Sequence, residues 1–204
     1  MTNPKRISIF PLAGALLYPG LSLPLHIFEP RYRAMISDAL ARDRMIGMIQ
    51  PQKSEDGAAL FSVGTLGYIS DVEALEDGRF NVVLTGKTRF RILRELDVTT
   101  PFRQVEGELL PEEEHQSISA VERAMFEREA RDFAEAQGYA VDWSEVTRLD
   151  DQSLINGVAQ IAPFDAASKQ ALLEAPDLAA RCELLVQMMQ FYGHGDGEDG
   201  ATLQ

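Results

Sequence analysis

Cysteine, histidine and long apolar runs are the scarce features of this 204-residue sequence, and each scarcity removes a class of function. The single cysteine, Cys182, cannot form an internal disulfide, and it falls in the helical pattern Leu178, Cys182, Leu185, where a small apolar residue belongs in a core. The three histidines, His26, His115 and His194, are far apart and offer no cluster at metal-ligand spacing. Glu112, Glu113, Glu114 and His115 read as solubilising charge on a linker, and His194, between two glycines, would be a poorly held ligand. No run approaches the roughly 18 consecutive apolar residues of a membrane span, and the basic start MTNPKRISIF leads into no apolar stretch of signal-peptide length. The expectation is a cytoplasmic protein without membrane segment, metal or cofactor.

Catalytic signatures are missing too. There is no GxSxG elbow and no Cys-Gly signature to mark an activated nucleophile. Gly86, Lys87 and Thr88 resemble the end of a phosphate-binding loop, but the glycine required five residues earlier is Asn81. The intervening Val82, Val83, Leu84 and Thr85 are strand formers, and the residues that follow do not open a helix. The expected structure there is a tight turn between two strands, and the chain is read as no enzyme.

Charge is present but unevenly distributed. The net charge is -13, yet residues 1–111 hold 13 Lys+Arg and 13 Asp+Glu, whereas residues 112–204 hold 6 and 19. All the acidic excess lies beyond Pro111, where it repels phosphate backbones and favours solubility. Hydrophobic residues make up 45% of the chain, enough at this length to bury about 70% of the extended surface in one domain or two small ones.

The first half alternates short β-branched and aromatic runs with Gly, Pro and Asp, the pattern of strands. Seven are expected: Arg6 to Phe10, Leu23 to Ile27, Met45 to Ile49, Ser62 to Ser70, Arg79 to Thr85, Thr88 to Leu96 and Phe102 to Leu110. Asp77-Gly78 gives a hairpin signal. One helix interrupts the meander, with Pro30 at its first position and Tyr32, Met35, Ile36, Ala39 and Leu40 at helical spacing. After Pro111 the periodicity becomes helical, from a cap at Ser117 or Ser119 to about Gln137, with Gly138 as the stop. Further helices are expected from Ser144 to Ala162, Asp165 to Glu174 and Asp177 to about Tyr192, punctuated by Pro163 and Pro176. The organisation is an α+β chain: a β domain with one inserted helix over 1–111, a helical bundle over 112–193, and a Gly-rich acidic tail over 194–204 expected to be disordered.

Four blocks carry a family resemblance. Ile9 to Tyr32, IFPLAGALLYPGLSLPLHIFEPRY, combines a strand, a Tyr-Pro-Gly turn and Leu-Pro-Leu. Val63-Gly64-Thr65-Leu66-Gly67 follows, then Asp77 to Phe80 running on through Gly86, Arg89, Phe90 and Ile92, and finally Pro163, Phe164, Lys169, Gln170, Leu172, Leu173, Glu174 and Arg181. In this order they resemble the substrate-binding domain of Lon-type proteases over about residues 6 to 192. The resemblance implies a PUA-like, mostly antiparallel β pseudo-barrel followed by a helical bundle, used to engage unfolded or tagged polypeptides. It does not imply proteolysis by this chain, since neither an ATPase nor a Ser-Lys protease module is present in the sequence.

The expected partners are therefore polypeptide clients or a protease component, bound through exposed apolar side chains. Tyr18 and Leu21 in the Tyr-Pro-Gly turn, with Phe28 and Tyr32 beside it, are the substrate-binding candidates, because a turn should be exposed and this one carries large apolar groups. Each also has a structural reading: Phe28 stapling onto the following helix, Leu21 and Tyr32 closing the barrel. Two alternatives stand beside this one. PUA-like folds include RNA binders, and Arg89 and Arg91 alternate with Phe90 and Ile92 along one strand with Arg94 close by. A small-molecule site built from scattered residues would need a deep pocket with convergent polar groups.

Overall fold

The computed structural model describes residues 4–52, 59–110 and 117–194, and the chain divides into two compact units, Met1–Glu113 and Glu114–Gln204. The acidic link at Glu112 to His115 and the tail from residue 195 lie outside the described residues.

In the first unit the described β-branched runs form six strands: β1 Lys5–Pro11, β2 Ser22–Ile27, β3 Met45–Ile49, β4 Val63–Ala74, β5 Phe80–Glu95 and β6 Gln104–Leu109. Strands β3 to β6 make an antiparallel meander, and β1 runs parallel to β3 and antiparallel to β6. Because β5 also pairs with β6, five strands close on themselves, and β2 is left at an edge along the first half of β5. Pro24 occupies that edge. Gly86 N–H donates to Leu21 O at 2.8 Å, so the antiparallel alternation turns the backbone groups of Leu23, Leu25 and Ile27 towards β5 and those of Ser22, Pro24 and His26 outward. A proline there removes one donor from the open edge, which discourages pairing with another strand.

The expected turn at Gly86 and Lys87 does not exist. Strand β5 is continuous over 16 residues, and the alternation changes phase because Lys87 is an extra residue: Leu66 pairs with Thr88, and Gly67 with Gly86. Val82 and Leu84 thereby join one core cluster and Phe90 the other. Ser70 on β4 and Leu93 on β5 are extra residues of the same kind.

Helix α1, Pro30–Leu40, starts on its proline and buries Tyr32, Met35, Ile36 and Ala39 against Phe10, Leu17, Ile27, Ile46, Ile69 and Leu84. Burial of each large apolar side chain contributes about 2 kcal/mol. The second cluster holds Ile7, Ile9, Ile49, Leu66, Phe90 and Val105. The Phe90 ring fills space left by glycines on three strands, for a Cβ at Gly47, Gly64 or Gly107 would lie 2.9, 3.0 or 3.2 Å from it.

The second unit contains α2 Ala120–Ala136, α3 Trp143–Val146, α4 Asp151–Ile161, α5 Ala166–Glu174 and α6 Leu178–His194. Ser119 and Glu122 form a capping box on α2, and Gly138, with φ 70°, ends it. The single helix expected from Ser144 to Ala162 is two helices, because Asp150 accepts from Ser153 N–H at 2.8 Å and starts a new one. Helix α6 packs against α2, α4 and α5. Arg181 ties them internally: its Nε donates to Leu172 O at 2.9 Å and its Nη1 to Asn156 Oδ1 at 2.8 Å.

Candidate functional site: an apolar groove in the helical unit

Of the four side chains expected to form a surface, two are interior. Tyr18 is 0% exposed and Tyr32 6%, whereas Leu21 is half-buried and Phe28 is 60% exposed. The reason lies in how the Tyr-Pro-Gly turn is held. Leu21 N–H donates to Tyr18 O at 3.1 Å, with Pro19 and Gly20 (φ 84°) as the central residues of a type II turn. Gly20 N–H donates to Gly86 O at 3.0 Å and Gly86 N–H to Leu21 O, so the turn is fastened to β5 and its tyrosine points inward. Tyr32 packs its ring 4.3 Å from that of Phe10 with the Arg31 guanidinium 4.5 Å above it, and burial pushes its phenol pKa up. Phe28 stays outside, stacked on His26 at 6.2 Å. The His26 ring is oriented by its neighbours: Nδ1 donates to Asn81 Oδ1 at 2.7 Å, Asn81 donates to Glu73, and Arg79 Nη1 donates to Nε2 at 3.3 Å.

The basic strand face is also rearranged. Arg89 is buried, and Arg94 is engaged by Glu106, so Arg89, Arg91 and Arg94 do not form one exposed row.

The larger apolar concavity is in the second unit and was not anticipated. A groove of about 430 Å³ is lined by Phe133 and Ala134 of α2, Tyr139 to Val141 after the Gly138 stop, Trp143 and Val146 of α3, Leu149, and Leu154, Val158 and Ile161 of α4. Tyr139, Val141, Leu149 and Ile161 remain exposed around it, Ile161 to 78%. Its walls are held by local polar contacts. Asp142 caps α3, Arg131 lies 4.5 Å over the Trp143 ring, and Arg123 bridges Glu127 and Asp151 at 2.8 and 2.6 Å. Ser153, on the lining, is occupied in the cap of α4, its Oγ donating to Asp150 at 2.7 Å. The arrangement suits burial of apolar side chains. Leu154, Val158 and Ile161 recur at i, i+4 and i+7 along α4, an apolar stripe beside the buried Ile155 and Ala159, and this stripe is a sequence signal that could have found the groove.

Cys182 is buried, and desolvation, helped by the Glu122 and Asp151 charges, pushes its thiol up to about 11. Among the described residues no group of His, Cys, Asp and Glu could hold a metal ion, and no helix is long and apolar enough to cross a membrane.

Comparison with known proteins agrees with this architecture. "Lon protease 2" of Myxococcus xanthus is 26% identical over 195 residues, covering 91% of this chain and 24% of that protein. "Lon protease 2" of Syntrophobacter fumaroxidans is 25% identical over 188 residues, covering 88% and 24%. The chain thus spans about a quarter of the length of these relatives. The crystal structure of a Lon N-terminal domain protein from Xanthomonas campestris has the same fold, with a TM-score of 0.70 at 20% identity over 90% of this chain and 98% of that one. The N-terminal domain of Mycobacterium avium complex Lon protease gives 0.66 at 22% identity over 91% and 98%. Residues 6–190 match the family described as the ATP-dependent protease La (LON) substrate-binding domain, and the chain belongs to that family.

Proposed function

We propose that this chain is a non-catalytic polypeptide-binding module, located in the cytoplasm, that holds exposed apolar segments of client proteins and presents them to a protease component. The observation that carries the reading is the apolar groove bounded by Tyr139, Val141, Leu149 and Ile161. Its volume of about 430 Å³ suits a few large side chains of an unfolded segment, since concave and mostly apolar sites bind by burying such groups. Leaving four large apolar side chains exposed in one place is unfavourable in a solitary domain and is the usual mark of an interaction surface. Phe28 and Leu21 of the first unit are a second, smaller apolar contact in this reading. Tyr18 and Tyr32 support that region from within.

The test is an anisotropy titration of a labelled, permanently unfolded polypeptide with the wild-type chain and with Ile161→Glu. A buried charge in the complex should weaken binding by at least about tenfold. Equal affinity of both proteins would remove the groove from the account.

A further inference from the structure

The first unit carries a separate polar site that the client-binding reading does not use. Tyr68 on β4 pairs with Thr85 of β5 on one side and Met45 of β3 on the other. It lies two residues from the core residue Leu66 on the same face of the strand, where the face lining the second core cluster opens to solvent. Ser22 of β2, Thr85 and Ser70 bring three hydroxyls together there: Thr85 Oγ1 donates to Ser70 Oγ at 3.0 Å, and Ser22 Oγ lies 3.4 Å from Thr85 Oγ1.

Two cations flank this ring. Arg44 Cζ and Lys87 Nζ each lie 5.7 Å from the Tyr68 centroid. Both arrive through backbone irregularities. Arg44 is the one described non-glycine residue with positive φ, 60°, a strained conformation that persists only where its surroundings hold it. Lys87 is the extra residue of a β-bulge, and Ser70 is the extra residue of another. Bulges re-aim side chains and concentrate at barrel rims and binding sites.

Lys5, Arg31, Arg42, Arg79, Arg94 and Arg103 each have a carboxylate within ion-pair distance. Among the described residues Arg44 and Lys87 have none, and the buried Nε of Arg44 has no acceptor at all. Arg33 and Arg91 also lack a carboxylate partner among the described residues, but Arg44 and Lys87 are the pair that shares one aromatic ring. The Tyr68 hydroxyl also has no partner there. The nearby acids are otherwise engaged: Asp43 pairs with Lys5 and accepts from Met45 N–H, and Asp71 accepts from Val72 N–H. The Nε of Arg44 is closed to solvent, so its terminal Nη groups are the donors left for an anion.

We infer that Arg44, Lys87 and the Tyr68 hydroxyl form a binding site for a phosphate group on a small molecule or as the free anion. Two positive charges match the roughly -1.5 to -2 of a phosphate monoester at neutral pH, and Arg donors suit its oxygens. A polyanion such as RNA is disfavoured because residues 1–111 carry no excess of positive charge, 13 Lys+Arg against 13 Asp+Glu.

The full chain is titrated at low ionic strength with inorganic phosphate, glycerol 3-phosphate and a single-stranded RNA, following backbone amide shifts. Saturable one-site binding of phosphate or its monoester is expected, with shifts centred on Arg44, Tyr68, Thr85 and Lys87. Preference between the first two probes distinguishes the free anion from an esterified source. Lys87→Gln and Arg44→Asn, the latter chosen because Asn tolerates positive φ, should each weaken binding on the order of tenfold, with the remaining spectrum unchanged. Lys87→Arg should restore it. The inference fails if neither phosphate probe saturates, if both variants bind as well as wild type, or if RNA binds where phosphate does not.

Discussion

Gly86 and Tyr18 meet backbone to backbone: a Cβ placed on Gly86 would stand 2.2 Å from the carbonyl oxygen of Tyr18 and 2.8 Å from its carbonyl carbon. The turn at Tyr18 and the bulge at Lys87 are therefore one device, since the glycine beside the bulge is what lets the turn lie against β5. Gly86→Ala presses on main chain and not on a flexible side chain, and should destabilise the protein by about 3 kcal/mol. Urea unfolding measures it, and a loss below about 1 kcal/mol would contradict this packing.

Tyr18 and Phe28 should separate stability from binding. Tyr18→Ala empties a fully buried site and should cost about 4 kcal/mol in chemical denaturation. Phe28→Ala removes an exposed ring, so its stability should stay within about 0.5 kcal/mol of wild type. Similar losses in the two variants would contradict the burial assigned to them.

Much of the architecture was legible because local chemistry and tertiary structure agree: Pro30 at a helix start, a serine cap before α2 that the structure assigns to Ser119 and not Ser117, Asp77-Gly78 as a hairpin. The errors came where one sequence pattern serves two geometries. A phase change in alternation reads alike as a turn or a bulge, and at Lys87 tertiary pairing decided for the bulge. Asp150 and Ser153 were hidden because the apolar spacing on either side continues through them. The surface role given to Tyr18 assumed that turns are exposed, and nothing local announced the two hydrogen bonds that Gly20 and Leu21 make to the distant Gly86. The groove residues escaped for a related reason: Tyr139 and Ile161 converge only after α2 to α4 are assembled.

In the helical unit the buried Arg181 depends on its acceptors. Asn156→Leu leaves a guanidinium N–H facing an apolar side chain and should cost about 3 kcal/mol, whereas Arg181→Met, which removes the charge and keeps the volume, should cost less. Equal or reversed losses in urea unfolding would show that the Arg181 to Asn156 bond is not what holds α4 to α6.

Cys182 should be inert in the folded protein. A thiol raised to about 11 is thiolate to only a small extent at pH 8, and with its burial the reaction with a disulfide reagent should be at least about a hundredfold slower than in the denatured chain. The linkage has a definite sign: the unfolded thiol, with its ordinary value of 9.0, loses its proton first, so this group's contribution to stability is intact below pH 9 and is lost between about 9 and 11. Rapid native-state labelling at pH 8, or no dependence of the alkaline stability loss on Cys182→Ala, would contradict it.

Amide hydrogen exchange of the chain with and without a saturating unfolded polypeptide locates the client on the protein. Added protection is expected in Tyr139 to Val146 and along α4 to Ile161, abolished by Ile161→Glu. Protection confined to the β unit, or none in the presence of bound polypeptide, would contradict the assignment of the groove as the client site.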